Sequence, residues 1–129
     1  MSTTAISEIT DEDVLSTLRK VVAERPEYVY SAPEHMGATK DGSVCFYVHK
    51  DEDGTNVAAG CVIGVVLHRL GIPLDELEKQ EGENARDALT RLVPALSRWV
   101  KEDLNRMQMH QDNDVAWGLA HAMAVGETI

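Results

Sequence analysis

Apolar residues recur at three- and four-residue steps through Val14, Leu15, Leu18, Val21 and Val22, the spacing that keeps one helical face inward. Thr10 stands ahead of this stripe with Asp13 three positions on, an N-cap and capping-box pair, and Asp11, Glu12 and Asp13 place negative charge in the first turn. A helix from Asp11 to Arg25 follows, and Pro26 ends it. The period then shortens to two. Tyr28 and Tyr30 alternate with Val29, which predicts a short strand over 27–31. In SVCFYVHK, residues 43–50, Val44, Phe46 and Val48 alternate with Cys45, Tyr47 and His49. Asp53-Gly54 reads as a hairpin turn, with 55–58 as the returning arm. So small a β element must lie on helices.

Residues 60–70, GCVIGVVLHRL, are apolar on every side except at His68 and Arg69. A helix without a polar face is buried on several sides, so this one is the predicted centre of the fold. Gly71 stops it, Ile72-Pro73 starts the next segment, and 74–80 supply one or two further turns. Ala85, Ala88, Leu89, Leu92 and Val93 form a second stripe, which Pro94 breaks or kinks. Leu96, Trp99, Val100, Leu104 and Met107 carry the period on to Gln111. Asp112-Asn113-Asp114 is then a turn, with Asp114 placed to cap a final small-residue helix, VAWGLAHAMAV. Gly60 and Gly64 have the four-residue spacing of a helix start followed by a close helix–helix crossing. Trp99, Met107 and Trp117 read as core, while Met109 sits off the stripe. The fold class expected is α+β: a mainly helical single domain over 10–129, with a small N-terminal β hairpin packed on a buried central helix and residues 1–9 as a flexible tail.

Size and charge narrow the function. At 129 residues the chain suits one domain able to bury a core without disulfides or metal. Twelve basic against twenty-two acidic side chains give a net charge of −10, spread as −6 over residues 1–54 and −4 over 55–129. Nucleic acids and anionic membrane surfaces are bound by neutralising many phosphates together, and with the basic residues scattered both are disfavoured as partners. A basic protein partner fits this balance, and so does a merely solvated acidic surface. The N-terminus lacks the charged and apolar regions of a signal peptide, and no apolar run approaches the roughly 20 residues of a membrane span. The expectation is a cytoplasmic protein with Cys45 and Cys61 reduced.

Three groups of residues invite chemistry. Cys45, His49, Cys61 and His68 include the ligand types of a zinc site, but no CxxC is present, and Cys61 and His68 are seven residues apart on one expected helix. Asp51-Glu52-Asp53-Gly54 has the flavour of a calcium loop, yet aligning Gly54 with that loop's glycine puts His49 and Gly60 at ligand positions, so a solvated turn is the better account. His110, Asp112 and Asp114 gather polar groups near a helix end, with His121 one helix later. No nucleophile elbow, phosphate-binding loop or dinucleotide fingerprint occurs. No catalytic residue, metal ligand or cofactor is therefore assigned.

Two runs, GCVIGVVLHRLGIP at 60–73 and QDNDVAWGLAHAM at 111–123, preceded by ERPEYVY at 24–30, resemble small uncharacterised proteins of actinobacteria and their phages. The departure is Val115-Ala116, which stands where that pattern has a proline before the Trp. The resemblance brings no activity, cofactor or catalytic residue. It implies a setting, that of a small accessory protein in an actinobacterial or phage-infected cytoplasm. The function expected is protein–protein interaction, with a host factor as one candidate partner and self-association compatible with the same residues. Asp75, Glu76, Glu78, Glu81 and Glu83 form the acidic cluster expected to meet a basic partner. The competing reading is a small enzyme or metal-binding protein using His110, Asp112 and Asp114 or the Cys/His set.

Overall fold

Thr10 opens the first helix in a computed structural model that describes residues 9–30, 46–81 and 83–125. Its Oγ1 accepts from the Asp13 N–H at 3.1 Å while the Asp13 carboxylate accepts from the Thr10 N–H at 3.0 Å, a closed capping box. Helix α1, Asp11–Glu24, buries Val14, Leu18, Val21 and Val22 as its spacing predicts. Ile9 corrects the expected tail. It is buried in the core, one residue before the N-cap, and with Val14 occupies the two positions of a hydrophobic staple that fixes how the chain enters the helix.

Strands β1, Val48–Lys50, and β2, Asn56–Ala59, pair antiparallel, with Val48 opposite Ala59. Asp51 organises the turn between them: its Oδ1 accepts from the Asp53 N–H at 2.9 Å and the Thr55 N–H at 3.0 Å. Residues 43–45 of the expected 43–50 strand, including Val44 and Cys45, lie outside the described residues, as does Ser31, while Phe46 and Tyr47 precede the strand, which begins at Val48. Tyr28 to Tyr30 is a correction, since among the described residues it joins no sheet. Its chain is committed elsewhere. The Pro26 carbonyl accepts from the Gly118 N–H at 2.7 Å and the Tyr28 carbonyl from the Trp117 N–H at 2.9 Å, so this segment caps the last helix.

Helix α2, Val62–Arg69, is the buried hub, with Val62, Ile63, Gly64, Val66 and Leu67 inaccessible. It too is capped by backbone: the Cys61 N–H donates to the Phe46 carbonyl and the Gly60 N–H to the Tyr47 carbonyl, both at 2.9 Å. A Cβ on Gly64 would stand 2.4 Å from the Tyr47 carbonyl oxygen. The close crossing expected between two helices is thus made against the extended chain at Phe46-Tyr47, because the hairpin rather than a helix lies across this end of α2.

Helices α3, Leu74–Glu78, α4, Ala85–Leu92, α5, Arg98–Asp112, and α6, Trp117–Val125, complete the α+β domain. Pro94 separates α4 from α5, and α5 packs on both α4 and α6 while α1 packs on α2. Val100, Leu104 and Met107 face inward, but Trp99, about 100° round the helix from Val100, is 57% exposed, a correction to its expected place in the core. Asp114 is corrected as well. With φ +66° it terminates α5: its N–H donates to the Gln111 carbonyl, and the next N–H, of Val115, reaches back to the His110 carbonyl. That pair of bonds is a Schellman ending with Asp where glycine is usual.

Candidate functional site

Two buried glutamines on α5 tie the elements together. Gln111 Oε1 accepts from the Val62 N–H at 2.8 Å and from Trp117 Nε1–H at 3.1 Å, so one side chain joins the starts of α2 and α6. Gln108 Nε2 donates to the Tyr47 hydroxyl at 3.2 Å, and that hydroxyl donates to the Glu83 carbonyl at 2.7 Å. Sequence reasoning passed over both glutamines. The available signal was their three-residue spacing beside Leu104 and Met107, which puts two uncharged amides on an inward face. Gln111 Nε2 donates to Asp112 Oδ1 at 3.0 Å, and burial pushes the Asp112 carboxyl up to about 6.

The acidic cluster expected to bind a partner is largely committed inside the fold. Glu81 accepts from the Tyr47 and Val48 N–H groups at 3.0 and 3.1 Å, and burial raises its carboxyl above the usual range. Glu78 is paired with Lys50, which together with the Asn56 amide holds its carboxyl below the usual range. Glu76 faces Lys79 at 3.1 Å and Glu83 faces Arg91 at 3.2 Å. Asp75 accepts from Asn56 Nδ2 at 3.0 Å and remains exposed. These side chains pin the hairpin to α3, and beside them Phe46, Lys50, Asp51, Glu52, Glu78 and Glu81 line an open cleft of about 520 Å³.

The other candidates do not assemble. Cys61 is buried and its thiol donates to Gln108 Oε1 at 3.5 Å. His68 Nδ1 lies 3.0 Å from the Ile72 carbonyl, and His49 Nε2 lies 2.8 Å from the Tyr30 hydroxyl. Cys45 lies outside the described residues. Asp112 is turned to Gln111, Asp114 is exposed at the end of α5, and no hydrogen bond joins either to His110 among the described residues. No group of three His, Cys, Asp or Glu among the described residues is placed to hold a metal ion.

The remaining surface of note is on α6. Its sequence, WGLAHAMAV, contains no Asp, Glu, Lys or Arg. Trp117, Ala120 and Ala124 are buried, and Trp117 meets Tyr28 edge-to-face at 4.8 Å between ring centroids, with the Arg25 guanidinium 4.1 Å from the Tyr28 ring centre. A Cβ on Gly118 would come within 2.9 Å of the Pro26 carbonyl oxygen, so the glycine lets the helix start close against that segment. The opposite face presents Leu119, 59% exposed, with exposed Ala122 and Met123, 50% exposed. Those three positions lie side by side on a helix.

Compared with protein-family models, curated proteins and solved structures, the chain matches none. No helix among the described residues is long and apolar enough to cross a membrane.

Proposed function

We propose that the protein works by binding another protein through the outer face of α6. The observation that carries this reading is the apolar helix face itself: Leu119, Ala122 and Met123 in solvent on a helix with no charged side chain. A surface helix that faces only water ordinarily carries charges on its outer side, and an exposed apolar stripe marks an interaction site. The matching partner is an apolar helix or groove flanked by basic side chains. The net charge of −10 steers such a partner in, and Asp75 with Glu76, Glu78, Glu81 and Glu83 adds to that field more than to direct contact. The setting we propose is an actinobacterial cytoplasm, that of the host if a phage encodes the protein, with the chain as an accessory protein, which is what the resemblance of 60–73 and 111–123 implies.

The test uses cross-linking in the native host, with the full chain as bait and a Leu119→Gln, Met123→Gln double variant beside it. The expected result is one protein joined through α6 residues in the wild type and lost in the variant. Partners captured equally by both, or tight DNA or RNA binding by the purified protein, would overturn the reading.

A further inference from the structure

In a chain of net charge −10, nearly every described cation has a partner. Arg19, Lys50, Arg69, Lys79, Arg86, Arg91 and Arg106 each face a carboxylate, and Arg25 lies over the rings of Tyr28 and Trp117. Lys20, Arg98 and Lys101 have no ion pair among the described residues, and of these Arg98 and Lys101 come together. Both line one cleft of about 450 Å³ between α4 and α5, together with Arg86, Thr90, Leu96 and Glu102.

We infer that this cleft binds a small phosphate-bearing anion between Arg86, Arg98 and Lys101. Two guanidinium groups supply fork-shaped donor pairs and the Lys101 ammonium a point charge, the combination suited to a tetrahedral dianion. Glu102 is the built-in competitor. It sits 3.3 Å from Arg86, near enough to hold that side chain in place while the cleft is empty and to yield one fork when a dianion enters. Asp87 is the other acid at Arg86, at a looser 3.9 Å, and Asp11 takes the Ser97 N–H at 2.9 Å. Three cations balance these three acids, Arg98 and Lys101 are the two with no acid of their own, and the start of α5 adds positive potential. Its first turn contains no acid, and the Ser97 side chain makes no capping bond. Leu96 also lines the cleft but is only 4% exposed, so recognition there rests on the charged groups.

This site is independent of the α6 surface, so each can fail without the other. The test is an amide-resolved NMR titration of the full chain at constant ionic strength, with inorganic phosphate, phosphoserine, succinate and chloride as probes. The expected outcome is saturable shifts at residues 86, 90 and 98–101 with phosphoserine, tighter than or equal to those with inorganic phosphate. Arg98→Gln with Lys101→Gln should weaken binding at least roughly tenfold, as should Thr90→Glu, which adds a charge to the rim. Lys20→Gln should leave it unchanged. Succinate binding as tightly as phosphoserine would overturn the phosphate assignment. Shifts that never saturate, that chloride reproduces, or that survive both cleft variants would overturn the site.

Discussion

Helices α2 and α6 are near twins in sequence character and opposites in the fold. Both are uncharged over most of their length, both have backbone carbonyls of a distant segment at their start, and both carry a glycine that lets that segment press close. Yet α2 is enclosed, with five of its residues buried, while α6 buries Trp117, Ala120 and Ala124 and turns Leu119, Ala122 and Met123 outward. The absence of a polar face therefore has two meanings. In α2 neighbours cover all but the end at His68 and Arg69; in α6 they cover one side, and the other stays in solvent.

The largest effect expected from this contrast comes from a charge placed in α2. Val66 is fully buried, so Val66→Asp leaves an unpaired carboxylate among apolar neighbours. That costs about 3–5 kcal/mol out of a typical total of about 5–15. Urea unfolding should show the midpoint collapse. An unchanged midpoint would mean that α2 is not the hub, and the comparison would lose its first term.

The hub was legible because composition alone excludes solvent from a helix like 60–70. So was α1, where Thr10 and Asp13 sit three apart and both capping bonds form. What the chain pattern could not show are long-range commitments. Alternation at Tyr28–Tyr30 reads as a strand, but the carbonyls of Pro26 and Tyr28 are taken by Trp117 and Gly118, some ninety positions away in the chain. Trp99 continues the stripe on paper, yet it stands about 100° round the helix from Val100, at the edge of a face that Val100, Leu104 and Met107 already fill, and it turns outward. The acids of 75–83 cluster in sequence, but which of them meets Lys50, Arg91 or the Tyr47 amide depends on the hairpin lying over α3. The α6 face was hidden for a simpler reason. An apolar run does not say how many of its sides find neighbours.

Next in size is the link that ties the two helices. Gln111 serves the start of both α2 and α6, through Val62 N–H and Trp117 Nε1–H. Gln111→Leu keeps the volume but orphans both buried donors, each worth about 1–3 kcal/mol, so roughly 2–5 kcal/mol should be lost in urea unfolding. A loss of stability much below that range would show that neither helix start depends on the shared amide. Gly64→Ala should cost less, about 1–3 kcal/mol, as the hairpin backbone shifts to admit the methyl group. If it proves neutral, the tight contact of α2 with the hairpin is not a constraint.

A smaller effect is set by pH. The Asp112 carboxyl is raised from its ordinary 3.8 to about 6 by burial beside Gln111. The folded state therefore holds this proton more tightly than the unfolded chain does. Its contribution to stability is fully present below about pH 3.8 and is lost as pH rises through about 6. Glu81 and Asp103, also raised by burial, act in the same direction, while Glu24 and Glu78, lowered by Arg69 and Lys50, act in the opposite one. The Asp112 part is isolated by difference. Asp112→Asn keeps an oxygen for Gln111 and should raise the melting temperature at pH 7.5, with the gap to wild type closing as pH falls below 5. A gap that stays constant across that range would remove Asp112 as a titrating group in the fold.

The smallest effect on stability is expected where the contrast matters most. Leu119 and Met123 keep half or more of their surface in water, so replacing them forfeits little burial. Glutamine matches leucine and methionine closely in helix propensity, so Leu119→Gln with Met123→Gln leaves the helix itself undisturbed. Surface changes of this kind usually fall within about 0.5 kcal/mol per site. The double variant should unfold at the same urea concentration as the wild type, within that margin. Removing the apolar face should at the same time abolish association with the α6 partner. A stable variant that no longer binds makes the outer face of α6 an interface, whereas a variant losing several kcal/mol would show that the face packs against the chain's own remaining residues. In that second case α6 would be covered on every side after all, and it would join α2 as a buried helix.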